Sequence, residues 1–151
     1  MLKVVTGNLL NETKGILVHG VNCQGKMGAG IALQIKQHYP YAFNSYLAFR
    51  RARGYEAQHM LGCVDFVQMS DQLIIANAFI QDTYGPGGRR YVSYDAIDRC
   101  FASVNQYALK TGLPVKYPKI GAGLAGGCWD IISAIIQANR SEGVDHTLFI
   151  Q

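Results

Sequence analysis

Apolar residues along this chain fall either into short unbroken runs or into helical spacing, and the two patterns alternate. Leu2 to Thr6 reads as a first strand, broken by Gly7-Asn8. Gly15 to Val21 is a compact apolar run of the kind buried on both faces of a sheet. Ala29 to His38 then has helical character, and Pro40 restarts a helix that runs to Arg53 and stops at Gly54. Leu61 to Val67 and Leu73 to Phe79 read as strands, with Ser70-Asp71 as the turn between them. Ser93 suits a helix N-cap, so Tyr94 to Lys110 is read as a helix, with Ile97, Phe101, Val104 and Ala108 as its apolar stripe and Gly112 as its end. Val115 to Tyr117 is a short strand. Trp129 to Asn139 is a helix with Ile131, Ile132, Ile135 and Ile136 inward, and His146 to Ile150 is a last strand. This alternation predicts an α/β fold whose sheet is covered by helices on both faces.

Two glycine-rich segments sit where a strand ends and a helix begins. One is Asn22-Cys23-Gln24-Gly25-Lys26-Met27-Gly28-Ala29-Gly30, and the other is Gly121-Ala122-Gly123-Leu124-Ala125-Gly126-Gly127. A strand that turns through glycines into a helix offers free backbone N–H groups and a positive helix end, which suits phosphate. In such sheets ligands lie beyond the carboxyl ends of strands. The loop Gln81 to Arg90, with Tyr84-Gly85-Pro86-Gly87-Gly88, holds that kind of position too. The pair of segments therefore predicts one cleft able to hold an extended phosphate-bearing ligand from both sides.

The second segment satisfies G-x-G-x-x-G, but it lies near the C-terminus rather than in the first βαβ unit. That argues against a nicotinamide dehydrogenase. The first lacks G-x-x-x-x-G-K-[ST] and is not a Walker loop. Its Asn22 and Gln24 suit sugar hydroxyls. Lys26 either neutralises a phosphate or is simply an exposed loop lysine.

Composition narrows the picture modestly. The chain has 151 residues, 49% hydrophobic and 16% charged, as expected for one folded domain spanning residues 1–151. No apolar run approaches a membrane span, and the N-terminus lacks the layout of a signal peptide, so a cytoplasmic protein is expected. Fourteen basic and 10 acidic residues give a net charge of +4, which favours anionic ligands but is too dispersed to imply nucleic-acid binding. Cys23, Cys63, Cys100 and Cys128 form no C-x-x-C pair and are expected to be reduced thiols. His19, His38, His59 and His146 are too scattered to suggest a metal site.

Three stretches together point to a family. Gly7-Asn8-Leu9, then Val18-His19-Gly20-Val21-Asn22-Cys23-x-Gly25-x-Met27-Gly28-Ala29-Gly30-Ile31-Ala32, then Tyr117-Pro118-Lys119-Ile120-Gly121-Ala122-Gly123-Leu124, resemble the macrodomains. Within them the chain is similar to the branch that holds the fungal ADP-ribose 1''-phosphate phosphatase and its bacterial and phage relatives. The resemblance implies a three-layer α/β/α fold with a central mixed, mostly parallel sheet. It implies ADP-ribose across the sheet crest, no cofactor, no membrane, nucleic acid only as an ADP-ribosylated substrate, and a monomer.

Carried over position by position, the resemblance implies that Gly7, Asn8 and Leu9 bind the ligand, the Asn8 carbonyl accepting from the adenine amino group. Phe149 either stacks on the base or is an ordinary core residue. Lys119, Ile120 and the Gly121–Gly126 segment, with Ala122, Gly123, Leu124 and Ala125, would wrap the diphosphate. Asn22, Cys23, Gln24, Lys26, Met27, Gly28, Ala29, Gly30 and Ile31 would line the distal ribose and part of the phosphate path.

For chemistry, His19 is either a structural core histidine or a general acid or base for hydrolysing the terminal phosphate, with Asn22 positioning the ribose. Asp82 either activates water or is a turn aspartate. A related branch relies on a lysine after the middle strand and an aspartate in the second loop. This chain has Ala76-Asn77-Ala78-Phe79-Ile80-Gln81 in the first place and Ala125 in the second. The expectation is therefore an ADP-ribose-binding phosphatase. The alternatives are a non-catalytic reader and a hydrolase that removes ADP-ribose from macromolecules.

Overall fold

In a computed structural model, which describes residues 2–151, the strands are β1 (Leu2–Thr6), β2 (Gly15–Asn22), β3 (Val64–Gln68), β4 (Leu73–Gln81), β5 (Val115–Tyr117) and β6 (His146–Ile150). The helices are α1 (Gly30–His38), α2 (Pro40–Ala52), α3 (Tyr94–Thr111) and α4 (Trp129–Ala138). Short 3-10 turns at Leu9–Asn11 and Ala57–His59 were not legible in the apolar pattern. Among the described residues the strands make one six-stranded sheet in the order β1-β6-β5-β2-β4-β3. Neighbours are parallel except β3, which runs antiparallel to β4 at the edge. The sheet is mixed and mostly parallel, with helices on both faces.

The two longest apolar runs, β2 and β4, lie side by side in the middle, where a strand must be apolar on both faces. Their alternation sorts the core into layers. Ile16, Val18, Ile74, Ala76 and Ala78 pack toward Ile97, Phe101 and Val104 of α3 and Ile132 and Ile136 of α4. Leu17 and Ile75 pack toward Ile35 of α1, and Val21 and Phe79 toward Tyr46 of α2.

The α3 start is capped as its sequence suggests: the Ser93 side chain accepts from Ala96 N–H, and Gly112 ends the helix in the left-handed region. Two readings need correction. The strand expected from Leu61 begins at Val64, because Gly62 takes φ +85° and turns the chain into register with β4. Ile131 points outward, because the stripe of α4 that meets the sheet centres on Ile132 and Ile136.

Candidate functional site

Because β2, β4 and β5 are parallel, their carboxyl ends open on the same crest. A cavity of about 580 Å³ lies there. The end of β2 supplies Gly20, Val21 and Asn22. The first glycine segment and the start of α1 supply Lys26 and Gly28 through Ala32. Ile80 and Gln81 come from β4, Tyr84, Gly85 and Tyr91 from the loop beyond it, and Pro118 to Gly121 with Gly123, Leu124 and Ala125 from the second segment. A second hollow of about 420 Å³ is lined by Gly7, Asn8, Leu9, Gln34, Phe149, Ile150 and Gln151. The two share Gly30, Ile31, Pro118 and Lys119, so they adjoin along the sheet crest.

Two sets of backbone donors converge on this crest. The N-cap of α1 is Ala29, which has no side-chain oxygen to offer, so the first-turn N–H groups of Gly30, Ile31 and Ala32 remain for a ligand. In the second segment, Gly126 N–H donates to Gly123 O at 3.0 Å and Gly127 N–H to Gly121 O at 2.8 Å. These bonds close the loop, while the N–H groups of Gly123, Leu124 and Ala125 take no part in its backbone bonding. Gly126 has φ +76°, and a Cβ there would lie 2.1 Å from the carbonyl oxygen of Arg89. The glycine is required for the two loops to pass that closely.

Asn22 organises the first segment. Its Oδ1 accepts from Gln24 N–H at 3.0 Å and from the Tyr46 hydroxyl at 3.0 Å, and its Nδ2 donates to Lys26 O at 2.9 Å. The single Tyr46 O–H hydrogen is shared between Asn22 Oδ1 and Asn22 O, the latter at 2.6 Å, and the hydroxyl oxygen accepts from Gly25 N–H at 3.0 Å. Burial pushes the Tyr46 phenol up to about 12, so it stays protonated as this donor. One Asn22 amide hydrogen is left for the cavity, which Asn22 lines.

Several residues singled out in the sequence lie elsewhere. His19 is fully buried on the α2 side of the sheet and does not line the cavity. Its Nε2–H donates to Asn77 Oδ1 at 2.5 Å, since that carbonyl oxygen can only accept. Desolvation lowers its pKa to about 4, despite the opposing hydrogen bond, so the ring is neutral at pH 7. A neutral ring sealed in the core cannot pass a proton to a ligand on the crest, which corrects the general acid–base expectation.

Asp82 is exposed on the rim. It accepts from Gln24 Nε2 at 3.0 Å, and its backbone oxygen accepts from Cys23 N–H at 3.0 Å, so Asp82 and Gln24 tie two loops together outside the cavity. Cys23 and Met27 pack in the core beside Val21, Tyr46 and Phe79. Burial, with the Asp82 charge adding to it, raises the Cys23 thiol to about 12, far from a thiolate. Ala122 and Gly126 shape the second loop without lining the cavity.

Tyr84, Gly85 and Tyr91 were missed as site residues. The signal was the loop after β4, whose position beyond a strand end already suited a ligand although Asp82 alone in it is named as a site residue. Tyr91 is held by its hydroxyl donating to Pro86 O at 2.9 Å and by Arg89 over its ring at 4.7 Å. The cavity lining, among the described residues, includes no carboxylate, imidazole or thiol. Its charged members are Lys26 and Lys119, both exposed cations. Nor do the described residues hold a group of three or more His, Cys, Asp or Glu that could bind a metal.

This mixed, mostly parallel sheet with backbone donors gathered at its crest has a family match. The Macro domain family matches residues 18–136, and the chain belongs to that family. It is 28% identical over 150 residues to the uncharacterized 17.5 kDa protein of the tk-vs intergenic region of Enterobacteria phage T4, covering 94% of this chain and 92% of that one. Local matches are stronger but shorter. The chain is 48% identical over 46 residues to a DNA ADP-ribosyl glycohydrolase of Mycobacterium bovis, which is 30% of this chain and 13% of that protein. It is 44% identical over 46 residues to an ADP-ribose 1''-phosphate phosphatase of Aspergillus oryzae, 30% of this chain and 23% of that one. A solved macrodomain protein from Streptomyces coelicolor superposes with a TM-score of 0.80 at 28% identity, over 100% of this chain and 99% of that one.

Proposed function

We propose that this protein binds ADP-ribose. The adenosine lies in the hollow of Asn8 and Phe149. The diphosphate passes between the α1 N-terminus and the Gly123–Ala125 amides, and the distal ribose sits by Asn22. The observation that carries this reading is that the two hollows adjoin at Gly30, Ile31, Pro118 and Lys119, beside both sets of backbone donors. A diphosphate belongs where unpaired N–H groups and a positive helix end meet, with Lys26 and Lys119 near it. Isothermal titration with ADP-ribose, AMP and ribose 5-phosphate tests it. ADP-ribose is expected to bind at least tenfold more tightly than either half, because only the whole ligand spans both hollows. Equal affinity for AMP and ADP-ribose would remove the reading.

A second reading, hydrolysis of a group on the distal ribose, draws on the local identity to relatives named as a phosphatase and a glycohydrolase. With His19 and Asp82 outside the cavity, turnover would rest on Asn22 and backbone N–H groups orienting water and stabilising charge. Phosphate release from ADP-ribose 1''-phosphate and ADP-ribose release from modified DNA are the assays. Tight binding with neither product formed leaves the protein a reader.

A further inference from the structure

β2 lies between β4 and β5 in the sheet, so the loops after those two strands flank the end of β2, where Asn22 sits. Each loop brings one large, exposed hydrophobic side chain to the cavity lining, Tyr84 after β4 and Leu124 after β5. Among the described residues Tyr84 has no hydrogen bond, ion pair or ring contact. The loop that carries it is nonetheless braced. Gln81 Nε2 donates to Thr83 O at 2.9 Å just before it, and Tyr91 N–H donates to Ala125 O at 2.7 Å, tying the loop to the second glycine segment. The Tyr91 hydroxyl sits so close to Gly85 that a Cβ there would lie 2.5 Å from it. Tyr84 therefore stands at the cavity mouth on a fixed backbone with its ring unclaimed, and little ordering is left for a ligand to impose.

We propose that Tyr84 selects what the distal ribose carries, by stacking on a flat heterocycle joined to that sugar, with Leu124 as a second apolar contact. This rests on the ADP-ribose reading for the placement of the distal ribose by Asn22. Exposed apolar side chains gathered at a cavity mouth mark a contact surface. A free hydroxyl or a terminal phosphate there draws nothing from Leu124 or from the face of the Tyr84 ring, and loses water against them. A flat heterocycle gains from both, through stacking and through burial of its faces. The ligand class is ADP-ribose with a planar nitrogen heterocycle on its terminal ribose, as in nicotinamide adenine dinucleotide or an ADP-ribosylated nucleobase. Removing an aromatic platform from under one stacked ring lowers affinity roughly five- to a hundredfold.

The test measures dissociation constants for ADP-ribose, nicotinamide adenine dinucleotide and ADP-ribosylated thymidine on the unmodified protein, Tyr84→Ala and Tyr84→Phe. At least one ring-bearing ligand should bind the unmodified protein about fivefold or more tightly than ADP-ribose. The ligand that does so identifies the source of the ring, a dinucleotide or a nucleic acid. Tyr84→Ala should lower that ratio about fivefold or more, and Tyr84→Phe, which keeps the stacking face, should hold it within about twofold. ADP-ribose binding as tightly as both ring-bearing ligands, or Tyr84→Ala weakening all three alike, overturns the role of Tyr84 while leaving ADP-ribose binding intact. Loss of the ratio in Tyr84→Phe assigns the contact to the hydroxyl and overturns the stacking role as well. Failure of the unmodified protein to bind any of the three overturns the ADP-ribose reading and this inference with it.

Discussion

His19 Nε2 donates to Asn77 Oδ1 across the β2–β4 ladder, in which the two residues are direct register partners. Asn77 passes the connection on, its Nδ2 donating to Ala42 O in α2 at 3.1 Å and to Asp65 Oδ2 in β3 at 3.3 Å, where Ser45 of α2 also donates at 2.9 Å. The chain of bonds fastens α2 to the sheet beneath the crest. Its role is to hold a helix whose Tyr46 supports the first glycine segment.

Replacing His19 with Ala should therefore damage stability rather than ligand recognition. It leaves Asn77 Oδ1 buried without a donor and opens a void, together costing about 2–4 kcal/mol. Urea unfolding reads the loss. Titration of the variant well below its melting temperature should give an ADP-ribose affinity within about twofold of the parent, as for sites without shared partners.

Mild acid should destabilise the protein through its two buried histidines. His19 and His146 are both buried, and desolvation is the main cause lowering each from 6.5 to about 4. His146 is further fixed as neutral by Tyr117 O–H donating to its Nδ1 at 3.0 Å and by its own Nε2–H donating to Asn105 Oδ1 at 2.9 Å. Between those pH values the unfolded chain binds protons that the folded one refuses. Stability is complete above about pH 6.5 and falls as pH drops toward 4, by on the order of 2–3 kcal/mol per histidine. Melting curves across that range should show the decline, and His19→Gln should flatten it. A melting temperature constant from pH 7 to 4.5 would contradict it.

Gly126→Ala should disrupt the second glycine loop. The new methyl would meet the Arg89 carbonyl at 2.1 Å from a backbone already at φ +76°. The loops of Tyr91 and Leu124 must then separate. A destabilisation of about 1–3 kcal/mol is expected, with ADP-ribose affinity lowered at least tenfold. Calorimetry measures both.

Tyr46→Phe removes the hydroxyl that ties Asn22 O and Oδ1 to Gly25 N–H. The buried groups left behind should cost about 1–3 kcal/mol. Binding should weaken through a loosened first segment, although Tyr46 is outside the cavity lining. Unchanged affinity would mean that the segment is rigid without it.

Ala29→Asp should separate stability from function. An aspartate at the empty N-cap of α1 gives the first-turn N–H groups a partner and is worth about 0.5–2 kcal/mol to the fold. The same carboxylate competes with a diphosphate for those donors and repels it. A raised melting temperature with ADP-ribose binding reduced at least tenfold is the expected pair of results.

Much of the fold was legible because period and punctuation are local. Ser93 and Gly112 mark α3 by their own capping chemistry, and the largely apolar runs Gly15–Val21 and Leu73–Phe79 announce strands. The glycine segments were legible for the same reason, since φ and missing side chains are written residue by residue. The chemistry-bearing residues were less so. His19 and Asn77 each interrupt an apolar run, and only their shared register shows that they answer one another instead of facing a ligand. Asp82 drew notice because carboxylates do chemistry, while Tyr84 and Tyr91 in the same loop line the cavity.

The sequence by itself determined which segments could be strands and helices, where backbone N–H groups would be left unpaired, and that a phosphate-bearing ligand suited them. Those properties depend on neighbours a few residues apart. Tertiary structure alone decided which way each polar side chain faces and what it bonds to. It buried His19 against Asn77 and set two hollows side by side along Gly30, Ile31, Pro118 and Lys119. Side-chain roles depend on contacts between residues far apart in the chain, which only the packed sheet brings together.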